Sequence, residues 1–328
     1  MNCSGAQLTL SADERRDKAN QKKQTFIFVL GGIMQELRGI MPPLATPFDN
    51  KEELNEAAVK AEVNYMIEQA GVHGVVVGGS TGEGHTLATD ELRRLVGTAC
   101  DAAAGRVPVI AGLIVDSTRQ AVERVRALAD LSVVALQVTP VHYLFKPNDE
   151  MMQRHFAAIA DAAGTPVMIY NVVPWSYCSP ALLTKIITEV DGVIGVKQSA
   201  GDLKLLADLM LLLDDRGIVF SAVDALLYPS YTLGAHGAIA AILTAAPKLC
   251  VDQWQAVQQG DHATALAIHQ TLLRIWNAMP HDNLPANIKT AMRLQGRDGG
   301  IPRAPMQQSS PQQEAAIRSA LDSAGLLT

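Results

Sequence analysis

The chain has 328 residues, 48% of them apolar and 5% aromatic, enough for one large domain or for a barrel with a smaller appendage. Its 27 basic and 33 acidic side chains give a net charge of −6, and no run of Lys or Arg could track a phosphate backbone, so no nucleic-acid partner is expected. Cys3, Cys100, Cys178 and Cys250 lie far apart, without a C-x-x-C pair or a histidine at ligand spacing; neither a zinc site nor a disulfide framework is expected, and a reducing cytoplasm fits.

In chain order, residues 1–37 read as a poorly ordered N-terminal extension. Its apolar segment "TFIFVLGGIM" (25–34) is too short to cross a bilayer, and no A-x-A-like cleavage site follows it, so no membrane partner is expected. From Gly39 onward, runs rich in Val and Ile alternate with helical patterns. The predicted strands are "GIMPPLATP" (39–47), "GVVVGG" (74–79), "VPVIAG" (107–112), "VVALQVTP" (133–140), "PVMIYN" (166–171), "GVIGVK" (192–197), "IVFSA" (218–222) and "GAIAAI" (237–242). Segments such as "NEAAVKAEVNYMIEQAG", "TDELRRLVGTACDAAAG" and "STRQAVERVRALAD" separate them, with polar starts and several glycine stops.

Eight such units predict a (β/α)8 TIM barrel over 38–245, not an open doubly wound sheet, which would carry G-x-G-x-x-G after its first strand. Residues 246–328 hold further helical patterns, "APKLCVDQWQAVQQG", "HATALAIHQTLLRIWNAM" and "SPQQEAAIRSALDSAG". With no Pro, Gly or Ser-rich linker before them, they predict a C-terminal helical appendage packed on the barrel.

In such barrels the chemistry sits where strands end. The second strand ends in "GGSTGEG" (78–84), the fifth in Tyr170 and Asn171, and the sixth in Lys197. Strand alternation puts Val193, Gly195 and Lys197 on one face and Ile194 and Val196 on the other, so Lys197 points inward if the latter pair meets the helices, and Gly195 leaves room for its stem. From that stretch alone, a lysine extending its head to solvent fits as well. An amine in a partly dry site loses its proton more readily and can form a Schiff base with a ketone or aldehyde. Ser80 and Thr81, in a glycine-rich loop, make a cup suited to a small carboxylate, although a plain turn would read the same. Tyr170 could relay protons, or simply pack. The conjunction of amine, phenol and cup at one end of one barrel favours chemistry.

From about Arg38 to the C-terminus the chain resembles the dihydrodipicolinate synthase and N-acetylneuraminate lyase family of pyruvate-type class I aldolases. The motifs are "TPF" (46–48), "GGSTGEG" (78–84), "RVPVIAG" (106–112), "VTP" (138–140), "YNV" (170–172) and "GVKQSAGDL" (195–203). The resemblance implies that Lys197 forms the Schiff base with pyruvate or another 2-oxo acid, that Tyr170 relays protons, and that Gly79, Ser80 and Thr81 hold the carboxylate, with Thr81 also in the catalytic set. It further implies a backbone role near Ile239, and a homotetramer built from dimers in which a tyrosine after the fourth strand reaches the neighbour's site. In "TPVHYLFKP" Tyr143 is the candidate for that position and His142 its competitor.

The chain departs from the family's patterns where the second substrate would bind. Trp175, Ser176 and Tyr177 stand where dihydrodipicolinate synthases carry an arginine, and "AVDA" (222–225) stands for the lyases' "GYDE", keeping Asp224 but placing Ala225 where the glutamate would be. The expected function is a Schiff-base-forming lyase that makes or breaks a C–C bond to pyruvate, or dehydrates a 2-keto-3-deoxy acid, with an aldehyde or sugar acid as partner and no metal or other cofactor. Dihydrodipicolinate synthase itself, a non-catalytic 2-oxo acid sensor, and pyridoxal phosphate on Lys197 are the alternatives.

Overall fold

A computed structural model describes residues 27–30, 33–141 and 143–327. Within the stretch expected to be an unordered extension, Ile27–Leu30 (β1) pairs antiparallel with Ile33–Glu36 (β2), which corrects that expectation for these residues. Residues 1–26 lie outside the described residues.

All eight predicted strands are present, seven of them shorter than read and β8 of equal length shifted by one, as Gly39–Ile40 (β3), Val75–Val77 (β4), Val109–Leu113 (β5), Ala135–Val138 (β6), Val167–Asn171 (β7), Val193–Gln198 (β8), Ile218–Ser221 (β9) and Gly237–Ala238 (β10). They form one parallel sheet in the order β3-β10-β9-β8-β7-β6-β5-β4. The two ends of that order meet through Pro42–Leu44, where Leu44 N donates to Val76 O at 2.8 Å and Val76 N to Pro42 O at 2.9 Å. Two consecutive prolines have no N–H to give, which is why this seam carries so few ladder bonds.

Side-chain caps start the helices where the sequence has polar residues. Asn55 accepts from Ala58 N, Ser117 from Gln120 N, Asn148 from Met151 N and Ser179 from Leu182 N, each satisfying an amide that has no intrahelical partner. The apolar residues divide into two cores. A large one, including Val77, Val96, Val138, Phe156 and Val196, lies between sheet and helices, and a smaller one, including Met41, Val76, Ile110, Met168, Phe220 and Ile239, fills the barrel.

The sixth barrel strand departs from simple alternation. A register shift opposite Val167 and Met168 lets Val193 pair with Val167 but Gly195 with Met168. Val193 therefore joins the core under the helices and Ile194 the interior core, the reverse of the predicted faces, while Lys197 keeps its inward direction. Gly195 also does more than clear the lysine stem. A Cβ there would lie 2.1 Å from Ile218 O, so only glycine lets β8 and β9 approach this closely.

The C-terminal helices pack on the barrel through buried charge. Arg297 donates to Glu62 Oε1 at 2.8 Å and to Thr244 O at 2.9 Å, its side chain and that of Glu62 both buried. Helix Leu284–Leu294 is not among the predicted segments, because Pro285 and Asn287 interrupt its apolar pattern.

Substituting Gly195→Ala should lower stability by about 2 to 3 kcal/mol through overpacking against β9. Gly201→Ala, exposed and with nothing within 4 Å of the added carbon, should change it by about 0.5 kcal/mol or less. Urea midpoints for the two variants measure this, and equal midpoints would rule out the close-approach account.

Candidate active site

The parallel register sets Tyr170 directly beside Lys197, and Lys197 beside Phe220 of the interior core. Partners in register share a face, so phenol and amine both enter the barrel. Lys197 Nζ lies 3.9 Å from the centre of the Tyr170 ring, and Tyr170 Oη donates to Ser80 Oγ at 3.0 Å. Lys197 is 4% and Tyr170 3% exposed. Among the described residues no carboxylate forms an ion pair with the amine, so a ring face, not a counter-charge, holds it.

The next pair in the ladder, Asn171 and Gln198, faces the other way and ties the two strands together. Asn171 Nδ2 donates to Gln198 Oε1 at 3.1 Å and to Cys178 O at 3.1 Å, and Cys178 N donates back to Asn171 Oδ1 at 2.9 Å. These bonds fix the loop after β7 as well as the strand ends. The asparagine of "YNV" thus has a positioning role that the sequence did not reveal.

Opposite lies the loop 78–84. Gly84 N donates to Gly79 O and Glu83 N to Ser80 O, each at 3.0 Å, and a Cβ on Gly84 would fall 1.9 Å from Gly78 O. The glycines therefore allow a turn tight enough to present Ser80 and Thr81 together.

Ser80, Thr81, Tyr170, Lys197, Asp224 and Ile239 line one cavity of about 370 Å³. Six of the predicted residues thus converge. Gly79 supports the loop behind Ser80 but is not on the cavity wall. Tyr143, read as reaching a neighbour's site, lies outside this chain's own cavity, 65% exposed, with its carbonyl accepting from Trp175 Nε1 at 2.9 Å. Its competitor His142 lies outside the described residues.

The wall also holds His85, Ser199, His281 and Asp282, which sequence reasoning missed. His281 and Asp282 come from the appendage and not from a barrel strand end. The residues standing for the expected arginine supply no cation. Trp175 is 61% exposed, Ser176 Oγ donates to Val141 O at 3.0 Å, and Tyr177 Oη donates to Ser199 O at 3.3 Å.

The geometry, then, is a buried amine and phenol under a hydroxyl-lined loop, with acids and imidazoles further out. The model of the dihydrodipicolinate synthetase family matches residues 36–324. The chain belongs to this family. It is 37% identical over 294 residues to a 4-hydroxy-tetrahydrodipicolinate synthase of Bradyrhizobium diazoefficiens, covering 89% of this chain and 98% of that one. It is 34% identical over 295 residues to the synthase of that name from Methanopyrus kandleri, with the same coverage. Among solved structures, YagE, a prophage protein of the dihydrodipicolinic acid synthase family from E. coli K12 in complex with pyruvate, matches with a TM-score of 0.84 at 27% identity, covering 88% of this chain and 99% of YagE. In this member of the dihydrodipicolinate synthetase family, Lys197 and Tyr170 stand near the ends of adjacent barrel strands.

Asp224 is the one cavity residue with a strongly displaced carboxyl. Burial raises its pKa from the ordinary 3.8 to about 6, against the opposing pull of the Ile242 N–H, which donates to Oδ1 at 2.7 Å, and of the nearby Lys197 charge. The folded chain holds this proton where the unfolded chain has released it, so ionisation of Asp224 costs stability as pH rises from about 4 to about 6. The melting temperature of the parent relative to Asp224→Asn should therefore fall across that interval and level off above it. A difference flat in pH would contradict the displaced carboxyl.

Proposed function

We propose that the chain is a Schiff-base-forming lyase acting on pyruvate or a 2-keto-3-deoxy acid through Lys197. The observation that carries this is the Lys197 amine packed on the Tyr170 ring, with the Tyr170 hydroxyl bonded to Ser80, in one cavity. The pyruvate complex of YagE supports a 2-oxo acid as the first ligand.

The 2-oxo acid's carboxylate meets Ser80 and Thr81, whose hydroxyls donate to it. Lys197 Nζ then attacks the C2 carbonyl carbon, and the carbonyl oxygen takes a proton through Tyr170 and leaves as water, giving an iminium. Loss of a proton from C3 gives an enamine, whose carbon adds to an aldehyde. The reverse sequence cleaves a C–C bond, and expulsion of a C4 hydroxyl from the enamine is the dehydration route. Hydrolysis frees Lys197. The cycle needs no metal or other cofactor.

The partner is best read as a hydroxyl-bearing aldehyde or sugar acid. Asp224, Asp282, His85, His281 and Ser199 face the cavity, where Lys197 is the sole Lys or Arg among the described lining residues. Acids and imidazoles accept hydroxyl donors, whereas a second carboxylate would lack a guanidinium. The alternative, 4-hydroxy-tetrahydrodipicolinate synthase activity, is favoured by the names of the relatives. Rates with hydroxylated aldehydes against aspartate semialdehyde separate the two.

We read the assembly as a homotetramer in the cytoplasm. Tyr143, Leu144 and Phe145 form a strongly exposed apolar run, which supports insertion of Tyr143 into a neighbouring copy.

Incubation with pyruvate and borohydride should add the mass of a reduced pyruvyl group to the peptide carrying Lys197. Absence of any adduct with pyruvate or other 2-oxo acids would refute the Schiff base. Tyr170→Phe should slow turnover by about 10² to 10⁴-fold, as expected for removal of a proton relay. Pyruvate-dependent stabilisation that survives Lys197→Ala, with no turnover by the parent, would instead identify a sensor.

A further inference from the structure

Three residues of the recognisable motifs have no part in the chemistry above: Thr46 and Phe48 of "TPF" and Glu83 of "GGSTGEG". The structure brings them together behind the carboxylate cup. Thr46 Oγ1 donates to Gly82 O, tying the loop to the segment after β3. Glu83 turns away from the cavity in a left-handed backbone conformation, φ 54° and ψ 32°, that few residues other than glycine adopt.

Its carboxylate is fully buried and held from the appendage. Lys289 Nζ donates to Glu83 Oε1 at 2.6 Å and to Ile301 O at 2.6 Å, and Arg303 N donates to Glu83 Oε2 at 2.9 Å. The Lys289 side chain is 2% exposed. Lys289 Nζ and Arg303 Cζ lie over the Phe48 ring, 4.7 and 4.1 Å from its centre. The Arg303 guanidinium continues to Thr86 O at 3.0 Å and to both oxygens of Glu91, at 2.7 and 3.1 Å. The C-terminal end of the loop is thus gripped by residues more than 200 positions away.

A buried ion pair is weak evidence for stability, since apolar residues of similar volume often do as well. Its geometric effect is specific. Glu83 stands three residues after Ser80 and accepts from two donors in fixed directions, so displacing it shifts Ser80 and Thr81 together. We propose that Lys289 and the Arg303 backbone, through Glu83, are positioning groups that set the carboxylate cup, making the segment 289–303 part of the machinery for binding the 2-oxo acid. This rests on the Schiff-base reading for its substrate and goes beyond it in assigning these residues.

The test uses the full-length chain and two variants. Glu83→Gln offers an N–H to one of two donors and loses a grip, and the double variant Glu83→Gln/Lys289→Met removes both charges together, which leaves no unpaired buried ion. Half-saturating pyruvate for trapping on Lys197 is compared with that for acetaldehyde, which has no carboxylate. Pyruvate half-saturation should rise about ten-fold or more in both variants, and acetaldehyde half-saturation should stay within about two-fold. Unchanged pyruvate half-saturation in a variant that melts cooperatively overturns the proposal. Equal losses with both carbonyls, or failure of both variants to fold, also overturns it, because the pair would then be scaffold alone. Should the parent trap no pyruvate, the Schiff-base reading fails separately, and the pyruvate-induced rise in melting temperature of parent and variants still decides whether the clamp sets the cup.

Discussion

The close contact of Ile218 with Gly195 governs the site more than any bond made by a catalytic group. It lets the sixth and seventh barrel strands pair while a register shift, one residue earlier, turns Ile194 into the barrel. Beyond the shift the alternation resumes, and Lys197 meets Tyr170 and Phe220 in register. A strand carried through without the shift would exchange its two faces relative to the bottom of the barrel. The amine's direction is therefore a property of backbone packing.

A second constraint is electrostatic. Lys197 sits inside the barrel against a ring face, whereas two other buried cations, Lys289 and Arg297, are matched by Glu83 and Glu62. These two cations each meet a carboxylate and a carbonyl, and the amine at the centre of the cavity has no carboxylate partner among the described residues. That contrast suits a reactive amine, since an ion pair favours the ammonium form, whose nitrogen has no free lone pair to attack a carbonyl.

The eight strands were legible because Val and Ile runs alternate with capped helical segments, and Lys197, Tyr170, Ser80 and Thr81 were legible because they end those runs. Faces were less so: Val193 and Ile194 were exchanged because a register shift leaves no trace in a pattern of period two. Glu83 stood inside a motif, yet its partners lie in helix Leu284–Leu294 and just beyond, which proline and asparagine hid from a periodicity search. His281 and Asp282 reach the cavity by tertiary packing, which no local pattern encodes. Tyr143, 65% exposed, meets nothing of this chain's cavity, and no local pattern says what its ring would face.

The proline seam and the paired acids bear on the order in which the molecule can be assembled during synthesis. A nascent chain that has delivered all eight strands, to residue 245, still lacks Lys289 and Arg297. Until they emerge, burying Glu62 and Glu83 would strand two carboxylates in apolar surroundings. The sheet thus emerges with loop 78–84 tied by Thr46 but without the partners of Glu83, and the last quarter of the chain completes the pocket begun by the first.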